Sequence, residues 1–256
     1  MRIDYYAYHS GMRNWNAAFK AVLAVVTLCL VISFNNIFVS MFVVGTMGAL
    51  TLIAGRIPCR VYVHYLLVPV VFMVFGCLVI AISFAGAPVG EWNLSFHFFY
   101  LCLDRESLFT AVKVFFKAMA GVSALYMMSF STPVNELIFV LQKLHLPGLF
   151  LELMHLIYRY VFILFDVAHQ MQTAAKARLG YRNLMQSYKS FAAIGGNLFV
   201  IALKKANAYY DALLARGYQG RLAFLAEDKP VQGWQIICGI LYFAAIILLA
   251  VWSGSL

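Results

Sequence analysis

Two arginines set the chemical question. Arg178 lies in Ala177-Arg178-Leu179-Gly180, followed by Tyr181, and Arg216 lies in Ala215-Arg216-Gly217, followed by Tyr218. Each follows an alanine and stands at or just before a glycine. A guanidinium offers a planar fork of donors that can hold a carboxylate or a carbonyl bidentately. The C-terminal end of a helix favours positive charge, and a neighbouring alanine lets a partner approach closely. Residue chemistry alone leaves three readings open: docking of a cytoplasmic partner, ordinary C-terminal capping on a solvated face, and contact with lipid headgroups.

No catalytic constellation accompanies these arginines. The sequence has no G-x-x-x-x-G-K-[ST] stretch for nucleotide phosphates and no H-E-x-x-H. The histidines (His9, His64, His97, His145, His155, His169) do not pair at metal-site spacing. His155 falls three residues after Glu152 and four before Arg159, which suits a polar helix contact better than a buried metal pathway. Cys29, Cys59, Cys77, Cys102 and Cys238 form no C-x-x-C and read as small hydrophobes. The expectation is a non-catalytic chain with no cofactor or metal of its own.

These residues need elements to hold them, and composition says where those elements lie. With 64% hydrophobic and 11% charged residues, the chain lacks the charge to wet a soluble surface and reads as an integral helical membrane protein. Five spans are expected, at about 19–34, 37–54, 65–85, 108–128 and 234–252. Asn35-Asn36 makes the outer turn of the first pair. Pro69 is placed in the first turns of the third span, where proline costs least. Lys113 and Lys117 are expected to snorkel or face the bundle. The segment Gly86–Ser107, with Glu91, Trp92, Asp104 and Glu106, reads as an outer loop. The apolar run after the polar N-terminus lacks a clear cleavage site and does not read as a signal peptide.

Charge sets the topology. The net charge is +9, and His169–Gly233 holds nine Lys or Arg against three acids. Short basic segments stay in the cytoplasm. The N-terminus and the loop with Arg56 and Arg60 are therefore placed on the cytoplasmic side. No aromatic-basic module points to nucleic acid. The expected organisation is 1–18 cytoplasmic segment, 19–130 four-span region, 131–233 cytoplasmic or interfacial helical domain, and 234–256 final span.

Within 131–233, Ser131-Thr132-Pro133 reads as a hydroxyl cap before an N1 proline. Glu136 sits near the positive end of that helix, and Leu146-Pro147-Gly148 stops it. Residues 149–169 are apolar, but Glu152, His155, Arg159 and Asp166 share one face. Such a stripe is costly against lipid, so the helix is expected to pack beneath or obliquely into the bundle. A further helix is expected from about Asn197 to Arg216, with Gly217 as its C-cap.

The ordered set of motifs resembles the transmembrane T component of energy-coupling factor transporters, in the CbiQ cobalt transport family. It comprises Ile3-Asp4 with Ala7 and Ser10, Ala54-Gly55, Leu66-Leu67 with Pro69, and Ser131-Thr132-Pro133 with Glu136-Leu137. It continues through Leu144 to Pro147, Tyr158-Arg159-Tyr160 and the two Ala-Arg elements. The resemblance implies an all-α, multi-span helical bundle with long cytoplasmic coupling helices. It implies that Ala177, Arg178, Gly180, Ala215, Arg216 and Gly217 couple to two cytoplasmic ATP-binding subunits, which use ATP and Mg²⁺. Pro133, Glu136, Pro147, Glu152 and Arg159 then position the helices. It also implies a substrate-specific metal-binding membrane subunit and a small accessory membrane subunit, with lipid around the bundle. Import of cobalt, towards cobalamin biosynthesis, is the implied function; nickel, a vitamin-type substrate or a non-transport scaffold are the alternatives. The first element reads Ala-Arg-Leu with its glycine one place late, which departs from the family pattern.

Overall fold

The structure, a computed structural model, describes residues 2–85, 92–96, 99–103, 105–144, 146–220 and 229–254. Among these residues the helices are α1 (Arg2–His9), α2 (Ala17–Ser33), α3 (Ile37–Ala49), α4 (Cys59–Ala81), α5 (Arg105–Ser131), α6 (Val134–Lys143), α7 (Gly148–Ala177), α8 (Leu184–Ala215) and α9 (Gly233–Gly254). The chain divides into two compact units, one formed by 1–137 with 227–256 and the other by 138–226. Five helical stretches are long and apolar enough to cross a membrane: Ile37–Ala54, Cys59–Ala81, Arg105–Ser131, Gly148–Ala177 and Gly233–Ser253; Ala17–Ser33 is a shorter apolar helix. The chain is a multi-pass membrane protein. Gly148–Ala177 thus qualifies by length and composition, although its polar stripe led us to expect no full crossing.

In the first unit, α5 packs against α1, α2, α3 and α4. Its buried stripe is small where neighbours approach: Ala111, Ala120, Ser123 and Ala124, then Met127. Small residues let helix backbones come close, which is what drives association when lipid competes for apolar contacts. The facing stripes repeat at three and four residues: Leu23, Ala24, Thr27 and Val31 on α2, and Val39, Val43 and Met47 on α3. Hydroxyls in these apolar helices bond back to their own carbonyls, as Thr27 Oγ1 does to Leu23 O (2.6 Å) and Thr51 Oγ1 to Met47 O (2.7 Å). By contrast α4 buries only Tyr62 and Ala81, and Phe72 is 81% exposed. Apolar side chains presented so fully suit lipid, not water.

Three local expectations need correction. First, α4 starts at Cys59, so Pro69 lies inside the helix, not in its first turns. Proline cannot donate to the carbonyl four residues back, which is Tyr65. The Tyr126 hydroxyl of α5 donates to that carbonyl at 3.0 Å, so the freed acceptor is satisfied from a neighbouring helix. Second, the third span ends at Ala81, and a small antiparallel sheet of order β1-β3-β2 follows: β1 (Ile82–Ala85), β2 (Trp92–Phe96) and β3 (Phe99–Leu103). The all-α bundle is borne out around this one addition. Other parts of the expected outer loop, including Glu91 and Asp104, lie outside the described residues, as do His97, His145 and residues 221–228. Third, Ser131 closes α5 instead of capping α6: Thr132 N–H bonds Met128 O at 3.0 Å, and Pro133 O accepts from Glu136 and Leu137. Proline is therefore the residue before α6, and Glu136 still sits in its first turn. The N-terminal segment is packed, with Ala7 of α1 and Ser10 and Met12 after it buried.

One end of this unit is tied by polar contacts. Lys20 is fully buried, and its Nζ donates to Ser131 O (2.7 Å) and Met12 O (3.2 Å). The first of these places a cation on the carbonyl end of α5, where the helix dipole favours it. Gly11 N–H and Ser10 Oγ both donate to Gly55 O, at 3.2 and 3.3 Å. A side chain at Gly11 would stand 2.5 Å from Ala54 O, so only glycine allows this approach. Glu136 pairs with Lys229 at 2.6 Å, and Lys229 also donates to Arg13 O at 2.7 Å. Asn16 caps α2 by accepting from Phe19 N–H (3.2 Å) and donates to Lys229 O. At the other end, Asn36 caps α3 through Phe38 N–H (3.0 Å), and Lys117 reaches Asn35 Oδ1 at 3.4 Å. Lys113 lies over the Phe109 ring at 4.5 Å. Both lysines of the fourth span thus find electron-rich partners.

Replacing Lys20 by methionine keeps much of the volume and removes two charge-assisted bonds, leaving two buried carbonyls without that donor. We expect a loss of about 1–3 kcal/mol, read as a lower unfolding midpoint of the purified chain. An unchanged midpoint would contradict the capping role.

Candidate coupling surface

The second unit is built on α7 and α8, which pack on each other. α8 begins at Leu184, well before the expected start near Asn197, and runs unbroken through Gly195-Gly196. Each glycine costs about 1 kcal/mol relative to alanine in a helix interior, and the surrounding helix formers carry the turn across them. Tyr160 of α7 meets Tyr209 of α8 edge-on, with centroids 5.5 Å apart. The Arg159 guanidinium lies 5.8 Å from the Tyr209 ring. Arg159 of α7 thus makes a cation–π contact with α8. Pro147, expected to stop α6, directly precedes α7, and its carbonyl accepts from Phe150 N–H at 3.0 Å.

The two Ala-Arg elements are the same helix stop, although their glycines differ in position. In the first, Arg178 is the C-cap of α7; Leu179 N–H bonds Lys176 O (3.1 Å) and Gly180 N–H bonds Ala175 O (2.8 Å). In the second, Arg216 is the C-cap of α8; Gly217 N–H bonds Leu214 O (3.0 Å) and Tyr218 N–H bonds Leu213 O (3.1 Å). Both are the paired six-to-one and five-to-two bonds of a Schellman stop. The residue after each arginine is left-handed, with φ +57° at Leu179 and +79° at Gly217. Leucine there costs about 1–2 kcal/mol. The late glycine has its own reason. A side chain at Gly180 would stand 2.6 Å from Ser190 Oγ and 2.9 Å from Ala175 O. Ser190 of α8 donates to Gly180 O at 2.8 Å, tying the stop of α7 to the next helix.

Both stops leave their arginine outward. Ala177, Arg178, Ala215 and Arg216 are exposed, and neither guanidinium makes a hydrogen bond or ion pair within the described residues. The two are not brought together. α8 has 32 residues, about 48 Å at helical rise, with one stop just before its start and the other at its end. Glu152, near the start of α7, is buried and accepts from the Tyr218 hydroxyl at 3.0 Å. That bond fixes the far stop, since Tyr218 is two residues past Arg216. Donating to the carboxylate holds the Tyr218 phenol above its ordinary value near 10. A folded value above the unfolded one means that the contact stabilises fully below the ordinary value. It is lost only as pH rises through the raised one. Of the other stripe residues, Asp166 is exposed. Pro133 and Glu136 belong to the other unit, where Glu136 serves the Lys229 pair.

Sequence reasoning missed Lys20, Lys229, Ser190 and the Tyr218 hydroxyl. Only Tyr218 carried a local signal, the repeat of tyrosine after each Ala-Arg element. Among the described residues, no three His, Cys, Asp or Glu side chains gather as a metal site.

The family model described as "Cobalt transport protein", CbiQ, matches residues 9–224. A protein named cobalt transport protein CbiQ from Rhodobacter capsulatus is 27% identical over 97% of this chain and 96% of its own length. A putative fused cobalt transport protein CbiMQ from Methanocorpusculum labreanum is 28% identical over 95% of this chain and 41% of its own length. An energy-coupling factor transporter transmembrane protein EcfT from Lactococcus lactis is 27% identical over 66% of this chain and 67% of its own length.

The stops make a stability prediction. Leu179→Gly should raise the unfolding free energy by about 1 kcal/mol by relieving the left-handed leucine. Gly180→Ala should lower it, because Ser190 and a backbone carbonyl occupy the space. Thermal unfolding of the purified variants checks both signs.

Proposed function

The chain belongs to the CbiQ family of cobalt transport proteins, and on that premise we propose that it couples two cytoplasmic ATPases to the import of cobalt ions. It is a non-catalytic transmembrane coupling subunit of the energy-coupling factor type. ATP and Mg²⁺ are used by the partner ATPases. Cobalt as cargo rests on the names of the relatives, and the ion is carried by a separate metal-binding membrane subunit, with a small accessory membrane subunit beside it.

The observation that carries this reading is the pair of matched helix stops. Each presents an exposed arginine, unpaired among the described residues, beside an alanine, and they flank a helix about 48 Å long. Two separate cationic forks suit two separate partners better than one divided site. We assign Arg178, with Ala177 and Gly180, to one ATPase and Arg216, with Ala215 and Gly217, to the other. Glu152 and Arg159 hold the helices that bear them, and Pro147 starts α7. Pro133 and Glu136 hold α6 where it leaves the membrane unit. The proposed coupling domain, 131–233, contains the compact unit 138–226.

The charge pattern supports a cytoplasmic N-terminus in the inner membrane. The bonds from Ser10 and Gly11 to Gly55 bring the N-terminal segment and the Arg56–Arg60 loop to one end of the bundle. Arg13, Arg56 and Arg60 are exposed there, and a basic end supports reading it as the inner face. The spans are then α2, α3 with its continuation to Ala54, α4, α5 and α9, while the charged stripe of α7 keeps that helix on the cytoplasmic side.

Cells carrying this chain with its partner subunits should accumulate cobalt in an energy-dependent way. The Arg178→Ala, Arg216→Ala variant should fall to the background of cells lacking the chain, at equal membrane content. Radiolabelled cobalt uptake, with nickel as competitor, is the measurement. Normal uptake by the double variant would remove the arginines from the mechanism, and exclusive uptake of nickel would change the cargo.

A further inference from the structure

A groove in the membrane unit has no part in the coupling surface. It encloses about 470 Å³ between the start of α2, the end of α3 and the start of α9, and its walls are almost wholly apolar. Ile53, Trp234 and Cys238 are exposed along it, so it opens to the side. At one end Trp15 and Trp234 meet edge-on, with centroids 4.9 Å apart. At the other, Thr46 Oγ1 and the Tyr242 hydroxyl are 3.1 Å apart and satisfy each other. Towards the tryptophan end the wall of α3 continues as a single π-helical turn, Leu50–Ala54, which displaces that stretch from regular helix packing.

Shape and charge select the occupant. The lining runs from Trp15 to Leu23, from Thr46 to Ala54 and from Trp234 to Tyr242, about 12 Å along α9 at helical rise. An apolar furrow of that length, open along its side, suits an alkyl chain lying against it. The tryptophan pair marks the headgroup level, so the chain would enter from that end and reach towards the middle of the bilayer. The charge there is complementary to an anionic headgroup. Arg13 is two residues from Trp15, and the Arg56 stem packs within 3.3 Å of where a Gly11 Cβ would lie. Both arginines are exposed, and neither makes an ion pair within the described residues.

We infer that this groove binds one acyl chain of an anionic phospholipid, with its phosphate held by Arg13 and Arg56. Such a lipid would fill the side opening between α2, α3 and α9 and complete the bundle at its basic end.

The test uses the full chain with Trp92→Phe and Trp252→Phe, leaving Trp15 and Trp234 as reporters. It is placed in phosphatidylcholine vesicles containing a minor fraction of phosphatidylglycerol brominated on its acyl chains. Tryptophan quenching should be half-maximal at a several-fold lower fraction of brominated phosphatidylglycerol than of brominated phosphatidylcholine. Arg13→Gln with Arg56→Gln should erase that preference, and Cys238→Phe, which fills the groove, should remove the high-affinity phase. Quenching that follows bulk lipid fraction equally in all forms would overturn the proposal. In the assembled transporter, a benzophenone on Cys238, with the other cysteines changed to serine, should crosslink to phosphatidylglycerol. Crosslinking to a partner membrane subunit instead would overturn it as well, by showing that a protein segment takes the groove.

Discussion

A lysine ammonium buried among apolar helices must find oxygen, and Lys20 finds it on Ser131 and Met12. This constraint sets how the membrane unit closes at its basic end. An uncompensated charge there would be several kcal/mol too costly to keep. With its two carbonyls, the ammonium ties the turn before α2 to the last residue of α5. The position where α5 stops then decides where Pro133 opens α6 and where Glu136 meets Lys229. Lys229 in turn holds the backbone at Arg13. The N-terminal segment, the end of α5 and the approach to α9 are thus joined by side chains far apart in sequence. The Ser131-Thr132-Pro133 stretch acts inside this knot as the end of one helix and the start of the next.

The second unit answers a different constraint. A helix ending in solvent leaves carbonyls unpaired, and both long helices solve this in the same way. The chain turns left-handed after an arginine and folds its next two N–H groups back. This solution leaves the arginine at the last position of the helix, pointing outward and favoured by the dipole. In the proposed function, coupling and helix termination use the same residues. Capping and docking could not be separated from the sequence because one geometry serves both readings. Ser190 and Glu152 then fix each stop to the opposite helix, so a force applied at either arginine would act on the α7–α8 pair instead of on a loose end.

Much of this was legible as periodicity. The apolar runs at 37–54, 108–128 and 234–252 lie within observed helices because span length follows directly from bilayer thickness. The Asn35-Asn36 turn and the two arginine stops were also visible, since Asn, Ala-Arg and Gly act locally. What escaped depends on partners distant in sequence. Pro69 reads as a helix-start residue until Tyr126 supplies the missing donor. Leu179 reads as a defect in the motif until its positive φ shows that it occupies the glycine place. A helix is expected only from about Asn197, but α8 starts at Leu184 and runs through Gly195-Gly196. Lys20 looks like one charge at the edge of a span, and nothing adjacent to it names Ser131. The three short strands have no counterpart in a reading based on helical and membrane patterns.

The central claim is that Arg178 and Arg216 hold the ATPases to the membrane. The most direct measurement is affinity purification of the assembled transporter in detergent, comparing the native chain with the Arg178→Ala, Arg216→Ala variant. The account predicts that the variant keeps its fold and its substrate-binding membrane subunit but loses both ATPases. Retention of the ATPases by the double variant, at the ratio seen with the native chain, would contradict it.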